Sequence, residues 1–222
     1  MKFNAGRFFD FNHTAAANLF ENAENVYDVL PQIKGFILNF QKTLGEDYIK
    51  LSDDVYAHKT AKIAPSAFID GPTVIGAGTE IRHCAFIRGS ALIGENCVIG
   101  NSTELKNVIV FDNAQLPHYN YVGDSVIGYR SHMGAGSITS NLKSDKTLVT
   151  IKAGDEKIET GLKKFGAILG DNVEVGCGSV LNPGTIIGQN SNIYPLSMVR
   201  GYVPENSIYK NRREIVTKLE SR

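Results

Sequence analysis

Large apolar side chains recur at every sixth residue through the middle of the chain: Ile63, Ile69, Ile75, Ile81, Ile87, Ile93, Ile99, Leu105 and Phe111 follow without a miss. Four residues after most of them stands a small side chain, at Ala67, Thr73, Thr79, Ala85, Ala91, Cys97 and Thr103, and glycine often follows directly, as at Gly76, Gly94 and Gly100. A helix needs apolar spacings of three and four, and an amphipathic strand needs two. A period of six suits neither. It suits a solenoid in which each hexad supplies one short strand and one turn, three hexads closing a triangular coil of about 18 residues. The beat returns as Leu169, Val175, Leu181, Ile187, Ile193 and Val199, with Val173, Ser179, Thr185, Ser191, Ser197 and Val203 at the small position. Between the blocks a shorter run, Tyr121, Ile127, Met133 and Thr139, stands ten residues on from Phe111. The beat therefore breaks inside Asn113 to Gly128, NAQLPHYNYVGDSVIG, and the break lifts His118 out of the wall.

Three segments follow other patterns. Over residues 1–50, Val26, Leu30, Ile33, Ile37, Phe40 and Leu44 recur at helical spacing. They predict a helical pair, with Thr14 or Asn12 capping the first helix and Pro31 in the first turn of the second. Such a pair caps the first coil or packs on a neighbouring subunit. The solenoid occupies 51–208. An insertion at about 142–164 alternates at Leu148, Thr150 and Lys152, then Lys157, Glu159 and Gly161, and reads as a projecting hairpin. Residues 209–222 predict a polar helix or tail, with Arg212 and Arg213 on a solvated face.

Composition narrows the function classes. A chain of 222 residues, 42% hydrophobic and 21% charged, can bury a real core as one large domain or two small ones. Lysine plus arginine equals aspartate plus glutamate at 23 each, so the basic surplus of a nucleic-acid binder is missing. Cys84, Cys97 and Cys177 are odd in number and lack metal-ligand spacing, which argues against a disulfide framework and a metal site and for small wall or turn residues. No secretory segment and no run of 18 apolar residues is present, which predicts a cytoplasmic protein without a membrane partner. His13, His58 and His83 read as structural or solvated.

The hexads resemble those of the hexapeptide-repeat acyltransferases. The resemblance implies a mainly β fold, a single-stranded left-handed parallel β-helix, and a homotrimer; composition and periodicity alone would favour right-handed crossovers. A more specific likeness runs through GNSTELKNVIVFDNAQLPHYNYVGDSVIGYRSHMGAGSITSN. Asn101, Glu104 and Lys106 match N-x-x-E-x-K. His118, Tyr121, Gly123 and Asp124 match H-x-x-Y-x-G-D, and Gly134, Ala135, Gly136, Ile138, Thr139 and Asn141 match G-A-G-x-I-T-x-N. These pieces resemble the acetyltransferase half of the bifunctional enzyme that acetylates glucosamine-1-phosphate and then uridylylates it. Arg88 matches an arginine one coil earlier.

The resemblance implies acetyl transfer from acetyl-CoA, as co-substrate, to an amino-sugar phosphate, with direct attack by the amine. The chemistry accounts for the residue types. An amino sugar is largely an ammonium near neutral pH, so a base must take its proton, and His118 is the candidate. Arg88 and Lys106 would neutralise a phosphate. Glu104 would hold the amine or hydroxyls, and Tyr121 and Asn141 would donate hydrogen bonds. His132 and Lys146 would complete the acceptor pocket. Backbone N–H groups of the Gly134, Ala135, Gly136 turn would hold the oxyanion of the collapsing thioester. The coenzyme would lie near Cys177, Tyr194 and Arg200, with Lys143, Lys146, Lys152, Lys163 and Lys164 as candidates for its phosphates. Asp124 would fix the loop after Gly123. His132 stands where the family has asparagine, and Leu142, Lys143 and Ser144 replace its Y-D-G, which leaves the acceptor sugar open. The closing hexads and the helical lead-in also resemble the C-terminal part of sugar-1-phosphate nucleotidylyltransferases. The glycine-rich L-A-G-G-x-G-T-R motif of those enzymes is missing from the start, MKFNAGRFFD. The alternative is therefore a trimerising or regulatory solenoid that partners a separate nucleotidylyltransferase.

Overall fold

The computed structural model describes residues 1–211 and 214–218. Its short strands stack in parallel on three faces. The first face carries Lys62–Ile63, Glu80–Ile81, Val98–Asn101, Gln115–His118, His132–Met133, Glu174–Val175, Asn192–Ile193 and Ser207–Asn211. The second carries Phe68–Asp70, Phe86–Arg88, the starts of Glu104–Val110 and Tyr121–Ile127, then Ile138–Thr139, Val180–Leu181 and Met198–Val199. The third carries Val55–His58, Thr73–Ile75, Ala91–Ile93, the ends of the same two long strands, then Ala167–Leu169, Thr185–Ile187 and Tyr202–Val203. Tyr48–Ser52 and Glu214–Thr217 close the two ends as antiparallel strands. The second of these stands where a polar helix or tail was expected; Arg212 and Arg213 lie outside the described residues.

The hexad side chains fill the solenoid, as the period requires. Ile75, Ile81, Ile87, Ile93, Ile99 and Leu105 are buried in one continuous cluster with Leu169 to Val199. The break, however, is not a ten-residue step. Ile75 pairs with Ile93, 18 residues on, whereas Ile93 pairs with Val110 and Val110 with Ile127, each 17 on. The interior sequence is Leu105, Val110, Leu116, Val122, Ile127, Met133. Two coils have each lost one residue at the corner between the second and third faces. The chain crosses that corner as one seven-residue strand, with Asn107 and Asp124 in the left-handed region at φ 53° and 47°. Phe111 consequently turns outward, and Val110 takes the interior place. His118 ends a regular strand opposite Asn101, so the expectation that it is lifted out by a break is corrected. The last coil shortens at the same corner: Val203 pairs with Ile187, 16 residues back, and fills a large interior position rather than a small one.

The third face explains the N-terminal segment. Its middle residues Val74, Leu92, Ile109, Val126, Ile168 and Ile186 point away from the solenoid interior by strand alternation, yet all are buried. Phe3, Phe8, Phe9, Phe20, Val26, Leu30, Ile33 and Ile37 cover them. Bare, such an apolar stripe along the whole solenoid would exceed the patch a soluble monomer usually exposes. The segment therefore lies along a face instead of capping the first coil. Its helices are Ala17–Phe20 and Ile33–Phe40, with Pro31 in the short turn that leads into the second. The Thr14 hydroxyl accepts from the Ala16 N–H. Phe111 lies tilted against Phe9 in this layer, ring centroids 4.7 Å apart, and the buried Asp171 carboxylate accepts from the Asp10 and Tyr129 N–H groups at 2.7 and 2.8 Å.

The hairpin forms from Thr150–Ala153 and Glu156–Glu159. Val149, Ile151 and Ala153 are buried in the outer layer, so the hairpin lies down on the solenoid rather than projecting from it. Its apolar alternation is the set opposite to Leu148, Thr150 and Lys152. Gly201 permits the contact, because a Cβ there would collide with the Lys152 carbonyl. Among the described residues no helix is long and apolar enough to cross a membrane.

Candidate active site

The contracted corner gathers most of the anticipated acceptor residues. Register places Glu104 beside Tyr121 and Lys106 beside Gly123, with Arg88 one rung before. The Arg88 guanidinium donates to the Glu104 carboxylate at 2.7 Å, which holds it above its usual range. Burial pulls the Lys106 ammonium below its usual range; the charges of Lys164 and Arg88 push the same way, and Asp124 opposes them. Lys164 is thus the lysine of the insertion that reaches the cluster. Burial raises the Tyr121 phenol, helped by the charges of Asp124 and Glu104 and opposed by Arg88 and Asn141. The phenol folds over Gly123, where a Cβ would meet its oxygen at 2.5 Å and Asn141 Nδ2 at 3.0 Å. That close approach gives the motif glycine its physical reason. Asp124, 7% exposed, accepts from Asn107 Nδ2 at 3.0 Å and Asn141 Nδ2 at 2.5 Å.

His118 and the glycine turn lie at the preceding corner, between the first and second faces. Tyr119, Gly136, Gly178 and Leu196 occupy equivalent left-handed positions there, at φ 52°, 69°, 67° and 58°. The backbone ladder consumes their N–H groups: Gly136 donates to the His118 carbonyl at 3.0 Å and Gly178 to that of Ala135 at 2.9 Å. Gly134 donates to the Val175 carbonyl at 2.7 Å. The Gly134 and Gly136 N–H groups are therefore committed between coils and do not serve an oxyanion, contrary to expectation. Among the described residues the Ala135 N–H has no acceptor.

Tyr119 and Leu196 stand out from this corner at 64% and 85% exposure. Gly136 leaves a notch, where an added Cβ would meet nothing within 4 Å, whereas the Leu196 side chain lies over Gly178, 2.8 Å from where a Cβ would stand. From Tyr119 to Leu196 the corner runs three rungs of roughly 4.8 Å, about 14 Å. His118 borders it at the Tyr119 end, and exposed Ala135 and Cys177 line its floor. Tyr194 stands exposed beside Leu196. Buried Asn120 braces the corner. Its Oδ1 accepts the His118 N–H at 3.2 Å, while its amide donates to the Gly134 and Ser137 carbonyls at 2.9 and 3.1 Å.

Three anticipated residues are placed elsewhere. His132 sits on the first face, its Nδ1 2.8 Å from Glu174. Lys146 closes an exposed turn on the Lys143 carbonyl at 3.0 Å. Arg200 lines a cavity of about 260 Å³ with Lys152 and Pro183, under the hairpin. Sequence reasoning missed Asn107, Asn120, Tyr119, Gly178 and Leu196. One signal was available: five residues instead of six separate Leu105 from Val110 and Val122 from Ile127.

Comparison with known proteins follows the same lines. A sequence model of the GMPPB C-terminal domain matches residues 79–186. Bifunctional protein GlmU of Methanococcus aeolicus is 32% identical over 213 residues, a stretch that covers 85% of this chain and 52% of that protein. The chain thus spans about half the length of that relative. The uncharacterized acetyltransferase YaiX of Escherichia coli K12 is 31% identical over 192 residues, covering 77% of this chain and 82% of YaiX. Among solved structures, a hexapeptide transferase family protein from Anaplasma phagocytophilum aligns over 75% of this chain and 81% of its own, with 15% identity and a TM-score of 0.43.

Proposed function

We propose, from the premise that this chain belongs to the hexapeptide-repeat, left-handed β-helix acyltransferases, that it transfers an acetyl group from acetyl-CoA to the amine of an amino-sugar phosphate. One observation supports the reading: the chain runs from exposed His118 at the Gly136 corner, through buried Asn120, directly into Tyr121 of the Arg88, Glu104, Lys106, Tyr121, Asn141 cluster. The corner from Tyr119 to Leu196, about 14 Å along three rungs, matches in length the thin arm of an acyl carrier. The cluster suits a polar acceptor with an anion. In the reaction the amine nitrogen attacks the thioester carbonyl carbon, the C–N bond forms, the C–S bond breaks and the thiolate leaves. His118 takes the proton that the nitrogen sheds. The Ala135 N–H, not used in the backbone ladder, would meet the carbonyl oxygen as it gains charge. Lys106 and Lys164, held close as like charges, gain when an anion binds between them.

The test incubates the purified chain with acetyl-CoA and a panel of amino-sugar phosphates while free thiol is followed. Turnover with one acceptor, lost in His118→Ala, is the expected result. Failure of every acceptor, or turnover unchanged in His118→Ala, removes the assignment. The match of residues 79–186 to the GMPPB C-terminal domain favours a second reading, a trimerising or regulatory solenoid. Capture of a nucleotidylyltransferase without any acetylation would establish that reading instead.

A further inference from the structure

We infer that Asp124 is a positioning residue that fixes the hydrogen-bond polarity of the acceptor pocket, so that Tyr121 meets the acceptor as a donor and Asn141 meets it as an acceptor. The inference rests on the acyl-transfer reading for its functional part. Its structural part stands alone.

A carboxylate only accepts hydrogen bonds. Asp124 is buried, and each of its oxygens takes one side-chain amide, Asn107 Nδ2 at 3.0 Å from the coil before and Asn141 Nδ2 at 2.5 Å from the coil after. Both asparagines must therefore turn their NH2 groups inward. Asn107 gives its second N–H to the Leu30 carbonyl at 3.1 Å, which ties the pocket to the segment covering the third face. Asn141 Nδ2 also lies near the Tyr121 phenol oxygen, both facing Gly123, and favours the phenol's charged form. With an N–H donor turned toward that oxygen, the phenol's own O–H is left to point into the open face, and Asn141 Oδ1 is left as the exposed acceptor. Donation thus runs outward from each amide, from Asn107 to Leu30 and Asp124 and from Asn141 to Asp124, and the doubly accepting carboxylate fixes both amides. A sugar presents groups that both donate and accept, so a pocket of fixed polarity selects one orientation of the ring.

An amide at position 124 has the same shape but offers only one acceptor, so one neighbouring asparagine would have to flip. Two full-chain variants separate polarity from packing: Asp124→Asn, and the exchange of Asp124→Asn with Asn141→Asp, which restores a carboxylate–amide pair with its direction reversed. Three readings are taken: steady-state kinetics for acceptor and acyl donor, the thermal midpoint, and solvent exchange of the Asn141 side-chain amide by NMR. The single variant is expected to lower kcat/KM for the acceptor about 100-fold, while the acyl-donor KM stays within twofold. The exchange variant is expected to recover the thermal midpoint without recovering activity. If it recovers both, or if the single variant leaves the acceptor KM and kcat unchanged, the pair is merely structural and the inference is overturned. Should the wild type turn over no acceptor, the acyl-transfer reading fails by itself. The polarity chain then stands if the Asn141 amide is protected in the wild type and unprotected in Asp124→Asn, and it falls if the amide exchanges freely in the wild type.

Discussion

Coils 93–127 and coils 169–199 share one wall and differ at one corner. In the later block Leu169 pairs with Ile187 at a regular 18-residue step, and the corner after the second face is turned by Pro183 and Gly184, the glycine at φ 78°. In the earlier block the same corner is one residue shorter, and Asn107 and Asp124 turn it instead. Asparagine and aspartate tolerate the left-handed region because their short polar side chains bond locally. Here they bond across coils, and Lys106 and Tyr121 stand beside them. A repeat presents the same side-chain direction on every rung, so a unique constellation needs a local departure from the period. Removing one residue per coil supplies it without opening the core, since Val110 and Ile127 still fill the interior.

The largest test of this contrast compares two histidines. Removing the base by His118→Ala should lower kcat by about 10² to 10⁴, whereas His132→Ala, whose imidazole meets Glu174 at the start of a first-face strand, away from the cluster, should change it by less than about threefold. Equal losses would break the separation of site from wall. Gly123→Ala is next. Its Cβ meets the Tyr121 oxygen at 2.5 Å, so the phenol must move and activity should fall about 100-fold with the fold retained. Gly154→Ala, in the hairpin turn at φ 61° with open space around it, serves as the control for backbone strain alone.

Stability sharpens the contrast between covered and bare faces. Phe111→Ala should cost about 3–5 kcal/mol because the ring is buried among Phe9, Phe11 and Phe20. Phe68→Ala, on the uncovered second face at 58% exposure, should cost less than about 0.5 kcal/mol in urea titrations of the monomer. Similar costs would mean that the second face is buried by another copy. The smallest effect concerns Asp171. Burial raises its carboxyl above the ordinary carboxylate range, despite the two N–H donors. A folded-state value above the unfolded one gives a contribution that is full below the unfolded value, near 3.9, and is lost as pH rises through the folded one. The stability of the wild type relative to Asp171→Asn should therefore improve as pH falls from neutral toward 4. A difference that is flat with pH would show that the group does not titrate as the fold implies.

The hexad pattern made the solenoid, its interior and the hairpin legible, and the N–x–x–E–x–K and H–x–x–Y–x–G–D pieces brought together Glu104, Lys106, Tyr121 and Asp124. The register slip was legible too, though easily misplaced. Counting large residues put the gap after Phe111, because a phenylalanine at the outer position looks like one at the inner. A pair of neighbouring apolar residues, such as Val110 and Phe111, does not say which of them faces inward.

By itself the sequence determined what depends on period and residue type: the coils, their core, and the chemistry available to His118, Lys106 and Glu104. Only the tertiary structure decided which of several polar residues meet. His132 and Lys146 are as near to the motifs in sequence as Asn141, yet the coil carries His132 to another face and Lys146 into a turn. Lys164, from the far side of the insertion, arrives beside Lys106. Stacking rungs join residues 17, 18 or 42 positions apart. Which of these separations applies is set by corner geometry and insertion length, and local sequence does not encode them.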